Sequence, residues 1–401
     1  MIELKGKFTD ATIMIDELEQ ECFTQIEKMI NHPAFTRKVV IMPDTHAGKG
    51  SVIGFTMPLT EFVIPNVIGV DIGCGMISAN IGKNLVDHPD KMDRKIQSVV
   101  PMSTSIHSKK MFDQFDYEYV NSIQSEFIKN FNSTFGTKHI VHEYNDKWLG
   151  NKIKQIGIDS HRFYQSLGTL GGGNHFIEIG KSEEDYYLTI HSGSRHFGLK
   201  VAEYWQKIAI NNSSEEINLK KVKNRELACL IGDEMIDYLR DMIFAQYYAQ
   251  LNRKNIYTLI VDRLKIQFDK HIIESIHNFI DFKDLIIRKG AIRSYSGEKM
   301  IIPFNMRDGI LICEGKSNKD WNFSAPHGAG RLMSRSKAKQ SIDFEKYKQS
   351  MKGIFSSCVN KNTIDESPMV YKNPLTIEKL IQPTANVQVR IKPVLNIKAS
   401  E

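Results

Sequence analysis

Five short segments of the 401-residue chain place Asp, Cys, His or Asn between glycines, at the ends of apolar runs. Glycine costs conformational entropy and is used where the backbone turns tightly or approaches a ligand closely. Its repetition beside so many side chains that can bind a metal or act as a nucleophile indicates a functional site. The segments are Met-Pro-Asp-Thr-His-Ala-Gly-Lys-Gly (42–50), Val-Asp-Ile-Gly-Cys-Gly (70–75), Leu-Gly-Gly-Gly-Asn-His-Phe-Ile-Glu (170–178), His-Ser-Gly-Ser-Arg-His (191–196) and Ser-Ala-Pro-His-Gly-Ala-Gly-Arg (324–331).

Three of these segments suggest a metal site. Asp71 and Cys74 offer a carboxylate and a thiol, although such a pair alone is more often a buried Cys in a tight turn. If the turn between two predicted strands is symmetric about Glu183, antiparallel pairing places His175 directly opposite His191, with Cβ atoms about 5 Å apart. Two imidazoles so placed favour metal binding. The mixed ligands leave zinc, manganese and magnesium open, and a shared thiolate would suit a dinuclear site.

His327 stands between Pro326 and a run of small residues that leaves its imidazole accessible, as a nucleophile requires. The basic segment that follows predicts a short helix with Arg331 and Arg335 on one face. A helix N-terminus favours phosphate, although a solvated surface helix explains the arginines equally well. The chain has neither a Walker A loop nor a dinucleotide-binding fingerprint, so any nucleotide site is of another kind.

The elements that would position these residues alternate between strand and helix patterns. Apolar runs at Val39–Met42 and Val63–Val70 predict buried strands that feed the first two segments. We also predict strands at Phe176–Ile179, Tyr186–Ile190, Lys299–Pro303 and Gly309–Glu314, and helices at Phe197–Ile210 and Glu226–Leu251. In the second helix apolar residues recur three or four apart, at Leu227, Ile231, Met235, Tyr238 and Met242.

This mixture predicts an α/β or α+β fold with a sizeable sheet. Length alone suggests two or three domains, but the sequence shows no clear linker between them. We expect a peripheral insertion at the polar stretch 84–161. A net charge of +6 permits an anionic substrate without requiring one. The chain contains no apolar run of about 18 residues and no signal-peptide core, and its five cysteines are scattered. We therefore expect a soluble cytoplasmic protein.

Together the motifs resemble the RtcB family of RNA-splicing ligases, which join RNA 3′-phosphate or 2′,3′-cyclic phosphate ends to 5′-hydroxyl ends. The resemblance runs from Met42 to Lys398 in the family's order. Its most specific parts are Asp-Ile-Gly-Cys-Gly-Met (71–76), Gly-Asn-His-Phe-Ile-Glu (173–178) and His-Gly-Ala-Gly-Arg-Leu-Met-Ser-Arg (327–335). It implies one large mixed α/β domain over residues 1–401. It also implies a GTP- and Mn(II)-dependent RNA ligase that acts in RNA repair or tRNA splicing. The reaction would pass through a histidine–GMP intermediate and then an RNA-3′-pp-G end.

The resemblance also implies roles for individual residues. His327 matches the nucleophile that receives GMP, and Asp44 matches the residue that orients it. Arg195 and Arg331 are the implied contacts to RNA or phosphate. Two Mn(II) ions bridged by one thiolate would be bound by Asp71, Cys74 and His175 and by Cys74, His191 and His277. The positions that match GMP contacts are Asn174, His175, Phe176, Ile177, Glu178, His277, Asn278, Pro303, Phe304, Asn305, Met306, Ile310, His327, Gly328, Ala329, Gly330, Tyr371 and Lys398.

Glu178 and Lys398 suit guanine, because a carboxylate can accept from N1 and N2 while an ammonium can donate to O6. One segment departs from the family. Its usual Ile-Pro-Gly-Ser-Met-Gly reads Ile-Pro-Phe-Asn-Met-Arg-Asp-Gly here, over residues 302–309. This indicates a divergent branch whose nucleotide affinity, end preference and natural RNA differ.

The implied substrate is RNA with 3′-phosphate or 2′,3′-cyclic phosphate and 5′-hydroxyl ends, and an archease-like activating protein is a candidate partner of an expected monomer. Two other functions stay open. A dinuclear metallophosphoesterase acting on RNA ends would use every metal ligand, but not His327 or the guanine contacts. An RNA-end-binding protein with a decayed active site would form no covalent adduct with GTP.

Overall fold

The computed structural model describes residues 1–112, 114–212, 225–267 and 269–399. In chain order the strands are β1 (Ile2–Lys5), β2 (Asp10–Ile13), β3 (Val39–His46), β4 (Ile53–Pro58), β5 (Gly75–Gly82), β6 (Phe176–Lys181), β7 (Tyr186–Ser192), β8 (Ile273–Ile276), β9 (Asn278–Asp281), β10 (Ile286–Lys289), β11 (Ala291–Arg293), β12 (Lys299–Pro303), β13 (Ile310–Gly315), β14 (Ser324–Pro326) and β15 (Ala385–Lys398).

The helices are α1 (Gln20–Ile30), α2 (Pro65–Ile68), α3 (Pro89–Gln97), α4 (Tyr117–Phe135), α5 (Asp146–Gln155), α6 (Ser160–Gln165), α7 (Arg195–Asn212), α8 (Gly232–Leu264), α9 (Arg335–Ser341), α10 (Phe344–Ser350) and α11 (Pro374–Ile381). Short 3-10 turns are formed by Arg225–Leu227, Lys319–Trp321, Lys361–Glu366 and Pro368–Val370. None of the helices in the described parts of the chain is both long and apolar enough to cross a membrane.

Two sheets organise the molecule and confirm the mixed α/β fold. One has six strands in the order β1-β2-β3-β4-β10-β9, and the other has seven in the order β12-β13-β15-β6-β7-β5-β8. The strands pair antiparallel except for β2 with β3. Each sheet ends at a strand next to His277, because β8 stops at Ile276 and β9 starts at Asn278. The chain therefore passes from one sheet to the other at this histidine.

Helix α8 runs through the core for 33 residues and buries side chains along its length. Its first half packs in one hydrophobic cluster, and its last turns pack in another with the seven-stranded sheet. The helix begins at Gly232 and ends at Leu264, so the predicted bounds Glu226–Leu251 are wrong at both ends. Leu227 and Ile231 precede the helix because the chain there forms a 3-10 turn and then bridges Leu230 to Val63.

The predicted strand Val63–Val70 is also wrong. Val63 makes a single bridge, and Pro65–Ile68 forms α2. Pro65 starts this helix, where its missing N–H would have had no helical partner. The run Val39–Met42 is confirmed as part of β3, which continues through Pro43 to His46. Its pairing with β4 is irregular between Ile41 and His46, so Pro43 breaks no regular ladder bond.

The other predicted elements are confirmed, with small changes of length, as β6, β7, β12, β13 and α7. The stretch 84–161 is largely helical over α3, α4 and α5. It contributes Phe115, Tyr144 and Trp148, whose rings pack against Phe244 of α8 with centroids 5.0–5.7 Å apart. Its interpretation as an insertion stays a prediction.

We expect Phe244→Ala to lower the free energy of unfolding by about 3–5 kcal/mol, because the ring is fully buried among aromatic neighbours and its removal leaves a cavity. Leu375→Ala should change the free energy of unfolding by less than about 0.5 kcal/mol, because Leu375 is 74% exposed. Urea denaturation followed by circular dichroism measures both. Equal effects would contradict the assignment of this aromatic cluster to the core.

Candidate metal and nucleotide site

The structure brings the five predicted metal ligands together from four places in the chain. Asp71 and Cys74 lie in the turn between α2 and β5, His175 directly precedes β6, His191 lies on β7, and His277 joins β8 to β9. The predicted strand register is off by one residue, since Phe176 rather than His175 pairs with His191. The two imidazoles still meet, with ring centroids 5.2 Å apart, because the chain turns just before β6.

The ligand atoms form two groups that share one sulfur. Nε2 of His175 lies 3.0 Å from Oδ2 of Asp71 and 3.5 Å from Sγ of Cys74. Nε2 of His191 lies 3.2 Å from the same sulfur and 3.3 Å from Nε2 of His277. Within each group the potential ligand atoms all lie within 4.8 Å of one another. This geometry could hold two cations with a bridging thiolate.

Hydrogen bonds fix which imidazole nitrogens face the centre. Nδ1 of His175 lies 2.8 Å from the carbonyl of Leu170, and Nδ1 of His191 lies 3.2 Å from that of Asn174. A carbonyl only accepts, so each Nδ1 carries the hydrogen, and in the neutral ring Nε2 presents a lone pair. The lone pair of His175 then faces the carboxylate of Asp71, which is unfavourable unless a cation or a further proton lies between them. The donor set therefore fits metal ions.

The electrostatics point the same way. Burial lowers the pKa values of His191 and His277 well below the ordinary range, so both rings are neutral, as metal ligands are. Burial acts to raise the pKa of Asp71, but the hydrogen bond and charge that His175 would supply as an imidazolium outweigh it and hold the pKa at about 2. A cation between the two residues would act in the same direction. Burial and Asp71 raise the pKa of the Cys74 thiol well above its ordinary value. Metal binding would have to displace that thiol proton.

The backbone of residues 193 and 194 lies against the carboxylate of Asp71 and holds it in place. Oδ1 of Asp71 accepts from the amide of Ser194 at 3.2 Å, and a Cβ on Gly193 would lie 2.2 Å from that oxygen. Glycine is therefore required here.

His327 lies beside this cluster, and its ring contacts Asp44, the residue predicted to orient it. Its Nδ1 lies 2.7 Å from Oδ2 of the fully buried Asp44, so Nδ1 donates and Nε2 carries the lone pair. Its ring centroid is 4.8 Å from that of His277. Gly330, with φ +74°, lets the His327 loop approach closely, since a Cβ there would lie 2.1 Å from the carbonyl oxygen of Asp44. The pair has the arrangement of an activated imidazole nucleophile.

His327 faces a cavity of about 250 Å³ that also touches the metal cluster. Most of the residues predicted to contact GMP line it: Asn174, Phe176, Glu178, His277, Pro303, Phe304, Asn305, Met306, Ile310, Gly328, Ala329, Gly330, Tyr371 and Lys398. Three others lie elsewhere. His175 belongs to the metal cluster, Ile177 points into the core on the opposite face of β6, and the side chain of Asn278 accepts from the amide of Gly290.

Two buried carboxylates differ in environment: Glu178 lines this cavity, and Glu366 contacts residues of its wall. Oε2 of the buried Glu178 accepts from Asn396 at 2.7 Å, whereas its Oε1 has no hydrogen-bond partner among the described residues. Burial raises the pKa of Glu178 to about 8, against the opposing effects of Asn396 and Lys398. Burial also acts to raise the pKa of Glu366, but Lys398, Arg335 and Arg331 hold it at about 2.

Sequence reasoning missed Glu366, which lies outside the five motifs. Its carboxylate contacts Lys398, Arg331 at 3.3 Å and Arg335 at 2.7 Å, and it accepts from the hydroxyl of Tyr371 at 2.7 Å. Arg331 lies before α9 rather than in it, so the two arginines do not share a helix face as predicted. They meet because both bind the same carboxylate.

The other predicted phosphate contact, Arg195, is turned towards backbone and hydroxyl groups. It donates to Oγ1 of Thr169 at 2.9 Å and to the carbonyl of Ser103 at 2.8 Å. Two further residues went unnoticed. His46 lines the cavity, and Lys372 donates to the carbonyls of Pro43 and Thr45, on either side of Asp44. His46 could have been predicted, because it lies in the glycine-containing motif at 42–50. No motif in the sequence marks Lys372.

The fold and site thus define a mixed α/β protein with a buried Asp-Cys-His donor cluster beside a histidine-containing cavity. A family model described as tRNA-splicing ligase RtcB matches residues 25–399. The chain is 31% identical to the RNA-splicing ligase RtcB1 of Escherichia coli over 381 residues, covering 89% of this chain and 88% of that protein. It is 30% identical to RNA-splicing ligase RtcB of strain K12, with the same coverage, and 26% identical to tRNA-splicing ligase RtcB of Aeropyrum pernix, covering 83% and 82%.

The chain therefore belongs to the RtcB family of RNA-splicing ligases. It is an RNA ligase, and the family implies RNA as its substrate.

We expect the purified protein to bind two Mn(II) ions per chain at saturation. Cys74→Ala should weaken both sites at least about tenfold, because it removes the shared sulfur, whereas His277→Ala should weaken one. Equilibrium dialysis with elemental analysis measures both. Full metal content in Cys74→Ala would show that the thiolate does not bridge. Zn(II) should bind more tightly than Mn(II), as the Irving–Williams order states.

Proposed function

We propose that this ligase uses GTP and Mn(II) to join RNA 3′-phosphate or 2′,3′-cyclic phosphate ends to 5′-hydroxyl ends through GMP bound covalently to His327. The observation that carries the proposal is the His327–Asp44 pair, which faces a cavity shared with the Asp-Cys-His cluster. A metal site alone would suit many hydrolases. A buried carboxylate that orients an imidazole towards a ligand cavity suits nucleophilic catalysis.

From a 3′-phosphate end the reaction has three displacements at phosphorus. A 2′,3′-cyclic phosphate end must first be opened by water, which breaks the bond to the 2′-oxygen and leaves the 3′-phosphate. In the first displacement, Nε2 of His327 bonds to the α-phosphate of GTP, and the bond to pyrophosphate breaks. In the second, an oxygen of the RNA 3′-phosphate takes the GMP and releases the imidazole, which gives RNA-3′-pp-G. In the third, the RNA 5′-hydroxyl attacks that end and GMP leaves. Asp44 holds Nδ1 throughout and stabilises positive charge on the ring while Nε2 is bonded.

Metal ions bound by Asp71, Cys74, His175, His191 and His277 would supply charge neutralisation for the phosphates. We assign Mn(II) from the family resemblance, because the mixed oxygen, nitrogen and sulfur donors by themselves admit several metals.

Glu178 is the residue best suited to select guanine. Its Oε1 is buried, lacks a partner within the described structure and lines the cavity. A buried acceptor without a donor is costly, and the N1 and N2 hydrogens of guanine would satisfy it. Adenine presents an acceptor at N1, so it would leave the carboxylate unpaired. Lys398 lines the same cavity, and its ammonium, which also pairs with Glu366, would donate to O6.

The departing segment 302–309 supports a divergent specificity. Asn305 closes the turn by accepting from the amides of Arg307 and Asp308, each at 3.0 Å. Arg307 binds Asp308 through two bonds of 2.8 Å, so these charges pair with each other. Phe304 is buried at the cavity wall where the family has glycine, and Asn305 lines the same wall where the family has serine. We propose that they narrow the nucleotide site and alter its affinity for GTP.

Neither a metallophosphoesterase nor a decayed end-binding protein, the alternatives left open by the sequence, explains the His327–Asp44 pair, and membership of a family of RNA ligases argues against both. An archease-like activator and a monomeric state are carried over as proposals from the family resemblance. Guanylylation separates the proposed reaction from both alternatives, since neither of them forms a covalent adduct.

We expect the protein to acquire one covalent GMP when incubated with Mn(II) and α-labelled GTP. The adduct should survive denaturation, break down in acid and resist alkali, as a phosphoramidate does. His327→Ala should abolish labelling and keep its metal, because His327 is assigned no ion. Asp44→Ala should slow labelling by at least about tenfold, since it only orients the ring.

Labelled protein supplied with RNA bearing a 3′-phosphate and a separate 5′-hydroxyl end should release GMP and yield a joined strand. Labelling that persists in His327→Ala would place the nucleophile elsewhere. A natural protein that takes no label would favour the phosphoesterase or the end-binding protein.

We also expect GTP binding to strengthen as pH rises towards about 8 and then to level off. In the free protein the pKa of Glu178 is about 8, mainly because of burial. Guanine binds the ionised form, so below that pH binding must release a proton, at a cost of up to about tenfold in affinity per pH unit. Glu178→Gln should bind more weakly and lose this dependence. Parallel pH profiles of the two proteins would rule out Glu178 as the titrating group.

A further inference from the structure

Two adjacent buried residues of α8, Asn252 and Arg253, contact the loops that carry the proposed metal ligands. Both side chains are fully buried, although neither residue lies near a ligand in sequence. Burying a guanidinium is costly unless it is well paired, and an apolar side chain would pack this helix against the sheet without that cost. Their contacts show what this polar pair provides.

Arg253 holds two of the ligand loops by their carbonyls. Its Nη1 donates to the carbonyl of Gly73 at 2.7 Å and to that of Ser192 at 3.0 Å. Gly73 directly precedes Cys74, and Ser192 directly follows His191. Its Nε and Nη2 bind Oε1 of Glu274 at 3.2 and 2.8 Å, on the strand that leads to His277.

Asn252 connects the same region to the loop before His175. Its Oδ1 accepts from the amides of Gly168 and Thr169 at 2.8 and 3.2 Å. Its Nδ2 lies within 3.1 Å of Oγ of Ser192 and the carbonyls of Thr169 and Gly193. Ser192 in turn donates to the carbonyl of Leu170 at 2.7 Å, which is the acceptor for Nδ1 of His175.

The five ligands lie on four segments, and the two α8 side chains contact all four. Buried loop carbonyls cannot be hydrated, so each needs a protein donor, and here the donors come from one rigid helix. A shift of either side chain would therefore move the segments that carry Cys74, His175, His191 and His277 relative to one another. We propose that Asn252 and Arg253 are positioning residues that set the geometry of both metal sites. This inference rests on the proposed metal-binding function.

The test compares Arg253→Lys and Asn252→Asp with a matched buried arginine. Lysine keeps the charge but cannot reach Gly73, Ser192 and Glu274 together, because it lacks the planar fork. Aspartate keeps the acceptor for Gly168 and Thr169 and loses the donor. The control is Arg288→Lys, since Arg288 is equally buried but binds Asp281, Asp284, Ser324 and the carbonyl of Phe323, none of which Asn252 or Arg253 contacts.

Cobalt(II) chloride is the probe, because the thiolate-to-cobalt absorption reports the geometry at Cys74 independently of turnover. Thermal unfolding of the metal-free proteins provides the stability of each variant. We expect Arg253→Lys and Asn252→Asp to weaken binding of both cobalt ions about 10- to 100-fold and to shift the thiolate absorption. Arg288→Lys should lower the unfolding temperature while leaving cobalt affinity and spectrum unchanged.

The proposal would be overturned if both α8 variants bound cobalt with the affinity of the natural protein and showed the same thiolate absorption. Equal weakening by Arg288→Lys at matched stability would also overturn it, since that result would assign the effect to general destabilisation. If one α8 variant fails to fold, the other decides. A natural protein that binds no cobalt at all would instead refute the metal site, so the two failures are distinguishable.

Discussion

The structure depends on bringing three buried imidazoles and the partly exposed carboxylate of Asp71 together around the buried sulfur of Cys74. The Nδ1 hydrogens of His175 and His191 go to backbone carbonyls, so their Nε2 lone pairs face the carboxylate of Asp71 and the sulfur of Cys74. Lone pairs that face a carboxylate and a thiol repel one another away from water, unless a cation lies between them or the surrounding protein prevents their separation. The surrounding fold must therefore resist their separation.

Three parts of the fold provide that resistance. The hairpin of β6 and β7 carries two histidines, the passage from β8 to β9 carries His277 between the sheets, and α8 supports the loops from behind. Because Gly75 pairs with both Ser192 and Ile276, the turn that holds Asp71 and Cys74 lies between the strands of the other ligands. Neighbouring strands thus bring together residues that are up to about 200 positions apart, as 71 and 277 are.

The sequence alone predicted those elements and motifs that depend on neighbouring residues in the chain. Alternating and helical patterns located β6, β7, β12, β13 and α7, and the glycine-flanked motifs marked most of the site. It failed where tertiary contacts decide. Apolar content could not distinguish the strand expected at 63–70 from a short helix begun by Pro65, and turn symmetry could not fix a register to one residue. His277 lies in an ordinary strand sequence, so only the family resemblance singled it out.

Two buried carboxylates near the cavity show how environment divides similar groups between binding and support. Glu366, which contacts residues of the cavity wall, is surrounded by Lys398, Arg331 and Arg335, which hold its pKa at about 2. These ion pairs fix the two arginines in place. Glu178, which lines the cavity, keeps one oxygen without a partner among the described residues, and burial raises its pKa to about 8. A ligand donor can complete the hydrogen bonding of Glu178, and the proposed function therefore assigns base recognition to Glu178.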